Sequence, residues 1–167
     1  MRGILILVVV FFALSVQAIE PSAFKARQLF EKATVEEEGC IALIALCTDA
    51  SASKNQVMTA YLACGLMLRA KYLINPYSKL QSFRDGSRLL DRCILDEKDN
   101  IEFRYLRFCI QAEAPSFLGY NRNLQEDKTR LLSTMQQLSD RDLRQMIVSF
   151  MMHCKLISTT EKQKLQN

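Results

Sequence analysis

Seven times along this chain a Ser, Thr, Asp or Asn is followed three residues later by Glu, Gln or Asp. The pairs are Thr34 and Glu37, Ser53 and Gln56, Ser78 and Gln81, Asp99 and Glu102, Asn123 and Glu126, Ser139 and Asp142, and Ser158 and Glu161. At a helix start the first side chain accepts from an orphan backbone N–H, and the second reaches back to the first residue's own N–H. Pro21 suits the first turn of a helix, where its missing N–H is not needed. Pro76 after Asn75, Pro115 after Ala114, and Gly119 read as stops. These marks predict eight helices, over 21–33, 35–48, 54–74, 78–95, 100–113, 123–137, 140–156 and 159–166. No segment alternates cleanly as a strand. Four of the five glycines follow residue 18, too few for a β-rich chain with many tight turns.

Two of these helices are apolar nearly all round. Cys40 to Cys47 contains no polar residue, and Val57 to Leu68 is broken only by Thr59. Helices without a polar face belong in the middle of a bundle. The others are amphipathic, with Phe24, Leu29 and Phe30 on the first, Phe83, Leu89, Leu90 and Ile94 on the fourth, Ile101, Tyr105, Phe108 and Ala112 on the fifth, and Leu143, Ile147, Phe150 and Met151 on the seventh. The fold expected is all-α. Residues 19–167 form a single compact domain of about eight short helices in stacked antiparallel helical hairpins, with the third helix central.

Arg2 precedes an almost unbroken run of Ile, Leu, Val, Phe and Ala from Gly3 to Val16, and Val16-Gln17-Ala18 closes it with small residues at both cleavage-site positions. Residues 1–18 therefore read as a secretory signal peptide. The run is shorter than the roughly 20 residues that span a bilayer. No Cys follows Ala18 to accept a lipid. The expected location is outside the cytoplasm, periplasmic or secreted, with no stable membrane insertion after cleavage. The net charge is +4, from 22 basic against 18 acidic side chains, and it falls by one without Arg2. So small an excess does not suit a nucleic-acid binder, whose basic residues cluster.

All six cysteines lie beyond the signal: Cys40, Cys47, Cys64, Cys93, Cys109 and Cys154. An even count in an exported chain fits disulfides. Each, however, sits among apolar residues on a predicted helix, where a free thiol packs as a small apolar group. Cys40 and Cys47 would stand about 10 Å apart along one helix, too far to bridge each other. Core packing and a cross-helix bridge both stay open.

Residues 83–100, from Phe83-Arg84-Asp85-Gly86 to Lys98-Asp99-Asn100, resemble the second helix of a tetratricopeptide repeat and its closing turn. Gly86, Leu90 and Cys93 match that family's small–large–small triplet, and Asp96 to Asn100 its Asp-Pro-x-Asn closure, with Glu97 or Lys98 in place of Pro. No 34-residue period accompanies this half-repeat. The run Asn75-Pro76-Tyr77-Ser78-Lys79-Leu80, the stretch Ile101 to Phe108, and Phe117-Leu118-Gly119-Tyr120-Asn121 are similar to a family of small exported bacterial all-helical proteins of unknown function. That resemblance covers about residues 24–150 and implies export and a helical fold, with no known activity.

Two arginine stripes are the candidate sites. Arg84, Arg88 and Arg92 are spaced four apart on the fourth helix. They could grip carboxylates or phosphates, or form a solvated face offset by Asp85, Asp91 and Asp96. Arg104, Arg107 and Gln111 make a second stripe on the fifth helix, beside Tyr105. Either they hold an anionic ligand with Tyr105 and Tyr120 as walls, or they close an internal clasp with Glu102, Glu113 or Asp127 that ties the helix to the Phe117–Asn121 turn. Phe117-Leu118-Gly119-Tyr120 is an apolar tetrapeptide between helices, either packed down or presented to a partner.

No catalytic arrangement emerges. His153 is the only histidine, and no Cys-x-x-Cys, Gly-x-Ser-x-Gly or phosphate-cradling glycine loop is present. His153 and Cys154 are sequence neighbours, which a helix turns about 100° apart. The expectation is a soluble, non-catalytic binding or interaction module without cofactor or metal, engaging a protein or peptide partner. The alternative is a periplasmic carrier holding a small apolar or anionic ligand between helices.

Overall fold

The chain turns at three corners that come to one end of the molecule, and this placement shapes its surface. The computed structural model describes residues 21–51 and 55–166, which form helices α1 Pro21–Ala33, α2 Glu37–Ser51, α3 Gln56–Arg69, α4 Pro76–Asp96, α5 Ile101–Glu113, α6 Leu124–Thr134, α7 Arg141–His153 and α8 Thr159–Gln166. Single 3-10 turns cover Ser116–Leu118 and Met135–Gln137, and no strand occurs among the described residues. The expected signal segment 1–18 and Ser53 lie outside those residues. The helices form one compact all-α domain of stacked antiparallel pairs. As expected, α3 is central, packing against α1, α2, α4 and α5.

Side chains cap five of the helix starts, mostly from neighbours of the residues marked in the sequence. Among the described residues only Ser158 and Glu161 close a reciprocal box, with Ser158 N–H donating to Glu161 Oε2 at 2.7 Å and Glu161 N–H to Ser158 Oγ at 3.3 Å. At four other starts a nearby Asn or Asp takes the cap, whereas Asn123 at the start of α6 makes no side-chain cap hydrogen bond. Asn55 accepts from Met58 N, Asn75 from Tyr77 N and Ser78 N, Asn100 from Glu102 N and Phe103 N, and Asp140 from Leu143 N. Pro76, read as a stop, instead stands at the start of α4, where its fixed φ fits and no N–H is needed. The third helix consequently ends at Arg69 rather than near residue 74.

Close packing between helices depends on glycine where they cross. A Cβ on Gly86 would lie 2.4 Å from Ala63 O and 2.7 Å from Met67 Cγ, so α4 can cross α3 only with hydrogen there. Gly39 likewise lets α2 rest on α1, where a Cβ would meet Lys32 Cβ at 2.7 Å. Gly86, Leu90 and Cys93, the triplet of the tetratricopeptide resemblance, are all buried.

Burial departs from the sequence expectation in one instructive way. The apolar α2 is an outer helix, and its Ile41 is 60% exposed. The charged α5 goes inside instead, with every residue from Glu102 to Gln111 buried. All six cysteines are buried and free, so they pack the core and form no bridge. Burial pushes the Cys47 thiol up to about 12 and that of Cys93 to about 11.

Candidate functional site: an apolar cleft beside two arginine clasps

The buried charges of α5 are held by two ion-pair networks. On one side Arg27 of α1 meets Glu102 in a double contact, Nε to Oε1 and Nη2 to Oε2, each at 2.8 Å. Tyr61 donates to the same Glu102 Oε1 at 2.7 Å. The rest of the Arg27 guanidinium reaches Asp140 Oδ2 at 2.9 Å and Asp142 Oδ2 at 3.0 Å, at the start of α7. Burial alone would raise the Asp140 carboxyl, but the Leu143 N–H and the Arg27 guanidinium outweigh it and hold that carboxyl low. One guanidinium thus joins α1, α5 and α7.

On the other side of α5, Arg104 and Arg107 share Asp127 of α6, which is fully buried at 0% exposure. Arg107 Nε lies 2.6 Å from Asp127 Oδ2 and its Nη2 2.9 Å from Oδ1, while Arg104 Nη1 lies 3.0 Å from Oδ1. Arg104 also donates to Glu126 Oε1 and to the Lys98 carbonyl, each at 2.9 Å. Its hydrogen bond holds the Glu126 carboxyl below its ordinary range. Arg107 touches Asp91 of α4 at 3.4 Å, and Tyr120 donates to that same Asp91 at 3.1 Å. The clasp therefore reaches the 117–121 turn through Asp91. Of the partners considered for it, Asp127 pairs with both arginines, whereas Glu102 serves Arg27.

Gln111 is buried with its side-chain oxygen lacking a partner, and Tyr105 packs edge-on to Phe150 at a centroid distance of 6.0 Å. Neither faces open space.

The open space lies at the end where the α1–α2, α3–α4 and α5–α6 connections meet. There a cleft of about 910 Å³ opens between α3, α4 and α5. Phe30, Met67, Leu68, Leu80, Phe83 and Ile110 supply apolar walls, and Tyr120 stands edge-on to Phe83 at 5.6 Å. Val35 and Phe117 line its mouth with 79% and 84% of their surface exposed. Ile74, two residues before the lining residue Pro76, is 95% exposed. Three cations, Lys71, Lys79 and Arg84, line the cleft against a single acid, Glu113.

The two candidate stripes are thus placed very differently. Arg104, Arg107, Gln111 and Tyr105 lie inside the packed domain and do not line the cleft. Tyr120 does both, lining the cleft and touching the clasp through Asp91. On α4, Arg88 pairs with Asp85, and Arg92 with Asp96 at 3.1 Å, so both belong to a solvated face. Only Arg84 of that stripe reaches the cleft.

Arg27 and the cleft were not read from the sequence. A signal for Arg27 existed, since it follows Ala26 and lies three residues before Phe30 on the stripe that α1 buries. His153 is exposed with its Nδ1 2.8 Å from the Ser149 carbonyl, while Cys154 is buried. No group of three or more His, Cys, Asp or Glu among the described residues is placed to hold a metal. No helix there is long and apolar enough to cross a membrane. Comparison of the chain with family models, with curated proteins and with solved structures finds no match.

Proposed function

We propose that this is an exported, non-catalytic binding protein, and that the cleft between α3, α4 and α5 is where it holds its ligand. The observation that carries this reading is an apolar floor beneath unpaired cations, within a domain that otherwise pairs its inward-facing charges closely. Of the occupants considered from the sequence, the cleft favours a small carried ligand. Its volume of about 910 Å³ falls within the roughly 300–1,000 Å³ of small-molecule sites. A partner helix needs an open groove with room for anchors at i, i+3, i+4 and i+7, whereas three chain corners crowd this end. A peptide partner is the second reading, supported by Ile74, Tyr77 and Phe117, whose apolar surfaces stand exposed near the mouth. Export rests on residues 1–18 of the sequence.

Native mass spectrometry of the protein isolated from its own cells tests both parts. The expected spectrum shows a chain shortened at its N-terminus, carrying a bound mass of a few hundred daltons. That bound mass should be absent from a folded Leu80→Glu variant, which places a charge in the floor. A ligand retained by this variant would move the binding site elsewhere. A chain that keeps Met1 would remove the export reading.

A further inference from the structure

We infer that the occupant of this cleft is a single-chain amphiphile with one anionic headgroup, in its simplest form a long-chain carboxylate. This rests on the cleft being a binding site and names what binds there. The cleft's polar groups are few and sorted by position. Lys79 and Arg84 stand on either side of the α4 stripe formed by Pro76, Leu80, Phe83 and Ser87. At about 100° per residue the two cations lie roughly 140° apart around the helix axis, with that stripe between them. A chain lying along the stripe is therefore flanked by positive charge at the rim and by carbon beneath.

These cations differ from the other arginines of the protein that the sequence places on stripes. Arg104 and Arg107 share a buried carboxylate, and Arg88 and Arg92 each have an aspartate on their own helix. Among the described residues Lys71, Lys79 and Arg84 form no ion pair. Lys71 Nζ rests 3.1 Å from the Thr34 carbonyl and Lys79 Nζ 3.4 Å from the Lys71 carbonyl. Arg84 is exposed, with a planar fork of donors suited to a carboxylate.

The nearby acids do not cancel this surplus. Among the described residues Glu113 is the only acid lining the cleft. Glu36, Glu37 and Glu38 follow Val35 at the start of α2, and none of them lines the cleft. Lys79 and Arg84 are left as the uncompensated charges on the α4 side. A wholly apolar ligand would make no use of them, and a polar anion without a tail would leave the floor of Met67, Leu80 and Phe83 empty. One molecule with both parts satisfies the whole lining. The exposed apolar lip of Val35 and Phe117 suits a tail entering from the open end.

The experiment is displacement of a neutral fluorescent apolar probe, N-phenyl-1-naphthylamine, by hexadecanoate and by hexadecanol, which share one tail and differ in headgroup charge. It is run on the wild-type chain and on the double variant Lys79→Gln with Arg84→Gln, whose melting temperature is measured alongside. Hexadecanoate should displace the probe at least about tenfold more strongly than the alcohol, the advantage of a charge-assisted contact. The double variant should bring hexadecanoate down to the alcohol's level while leaving the alcohol and the melting temperature unchanged. Equal displacement by both lipids in the wild type, or undiminished hexadecanoate binding in the variant, would overturn the headgroup inference and leave the cleft reading standing. A probe that never enters, with neither lipid bound, would remove both.

Discussion

The clasp around Asp127 and the cleft beside Arg84 use the same side chain for opposite ends. In the clasp, two guanidinium groups and one carboxylate are closed off from water and hold α5 against α6 and α4. At the cleft, guanidinium and ammonium groups stand over apolar side chains with no carboxylate bound to them. Pairing separates the two, since arginine occurs in both. A buried charge with its partners in place makes structure, and removing one partner leaves the other stranded at high cost. A rim charge without a partner contributes little to stability and remains free to meet a ligand.

The largest test of that contrast is Asp127→Ala. It removes the buried carboxylate that Arg104 and Arg107 share, leaving them Glu126, Asp91 and the Lys98 carbonyl nearer the surface, and should lower unfolding free energy by about 3–5 kcal/mol in chemical denaturation. Arg84→Gln should stay within about 0.5 kcal/mol of wild type under the same conditions. A clasp variant as stable as the rim variant would erase the distinction between them. Gly86→Ala is next. The added methyl meets the α3 backbone, so a loss of about 1–3 kcal/mol is expected from the displaced α3–α4 crossing.

Removing the cap of the buried helix in Asn100→Ala should cost about 1 kcal/mol, read from the same denaturation curves. The smallest effect concerns acid. The Ser158 N–H, the Lys128 ammonium and the Ser158 hydroxyl hold the Glu161 carboxyl down at about 2. A lowered carboxylate stabilises fully above its unfolded value of about 4.3 and loses that contribution as pH falls toward the folded one. Below about pH 4 α8 should therefore loosen before the rest, seen as earlier broadening of the Leu165 methyl resonance than of Leu131. Simultaneous broadening would place the acid-sensitive groups elsewhere.

Much of the helical frame was legible because polar acceptors stand at or beside most helix starts, and Pro76, Pro115 and Gly119 mark two of the turns. The choice of acceptor was less so. Asp99 and Asn100 are adjacent, as are Ser139 and Asp140, and the local pattern fits either of each pair. Tertiary contacts decide between them. Asp99, in the α4–α5 corner, faces Arg130 of α6, and Asp140 caps α7 while also holding Arg27. The exchange of α2 and α5 has the same origin. Composition marks α2 as the inner helix, but Glu102, Arg104 and Arg107 can enter the core because Arg27, Tyr61 and Asp127 meet them there. Those partners come from α1, α3 and α6, beyond the reach of any local periodicity. The cleft escaped the sequence for a similar reason, since Val35, Arg84 and Phe117 become neighbours of one space only when three corners gather at one end.

Methyl NMR during titration with hexadecanoate tests the division between clasp and cleft most directly. The account predicts shifts at Leu80, Leu118, Met67 and Ile110, all on the cleft lining, with Leu131 and Leu106 in the core unmoved. Shifts centred on Leu131 and Met135, with Leu80 silent, would contradict it.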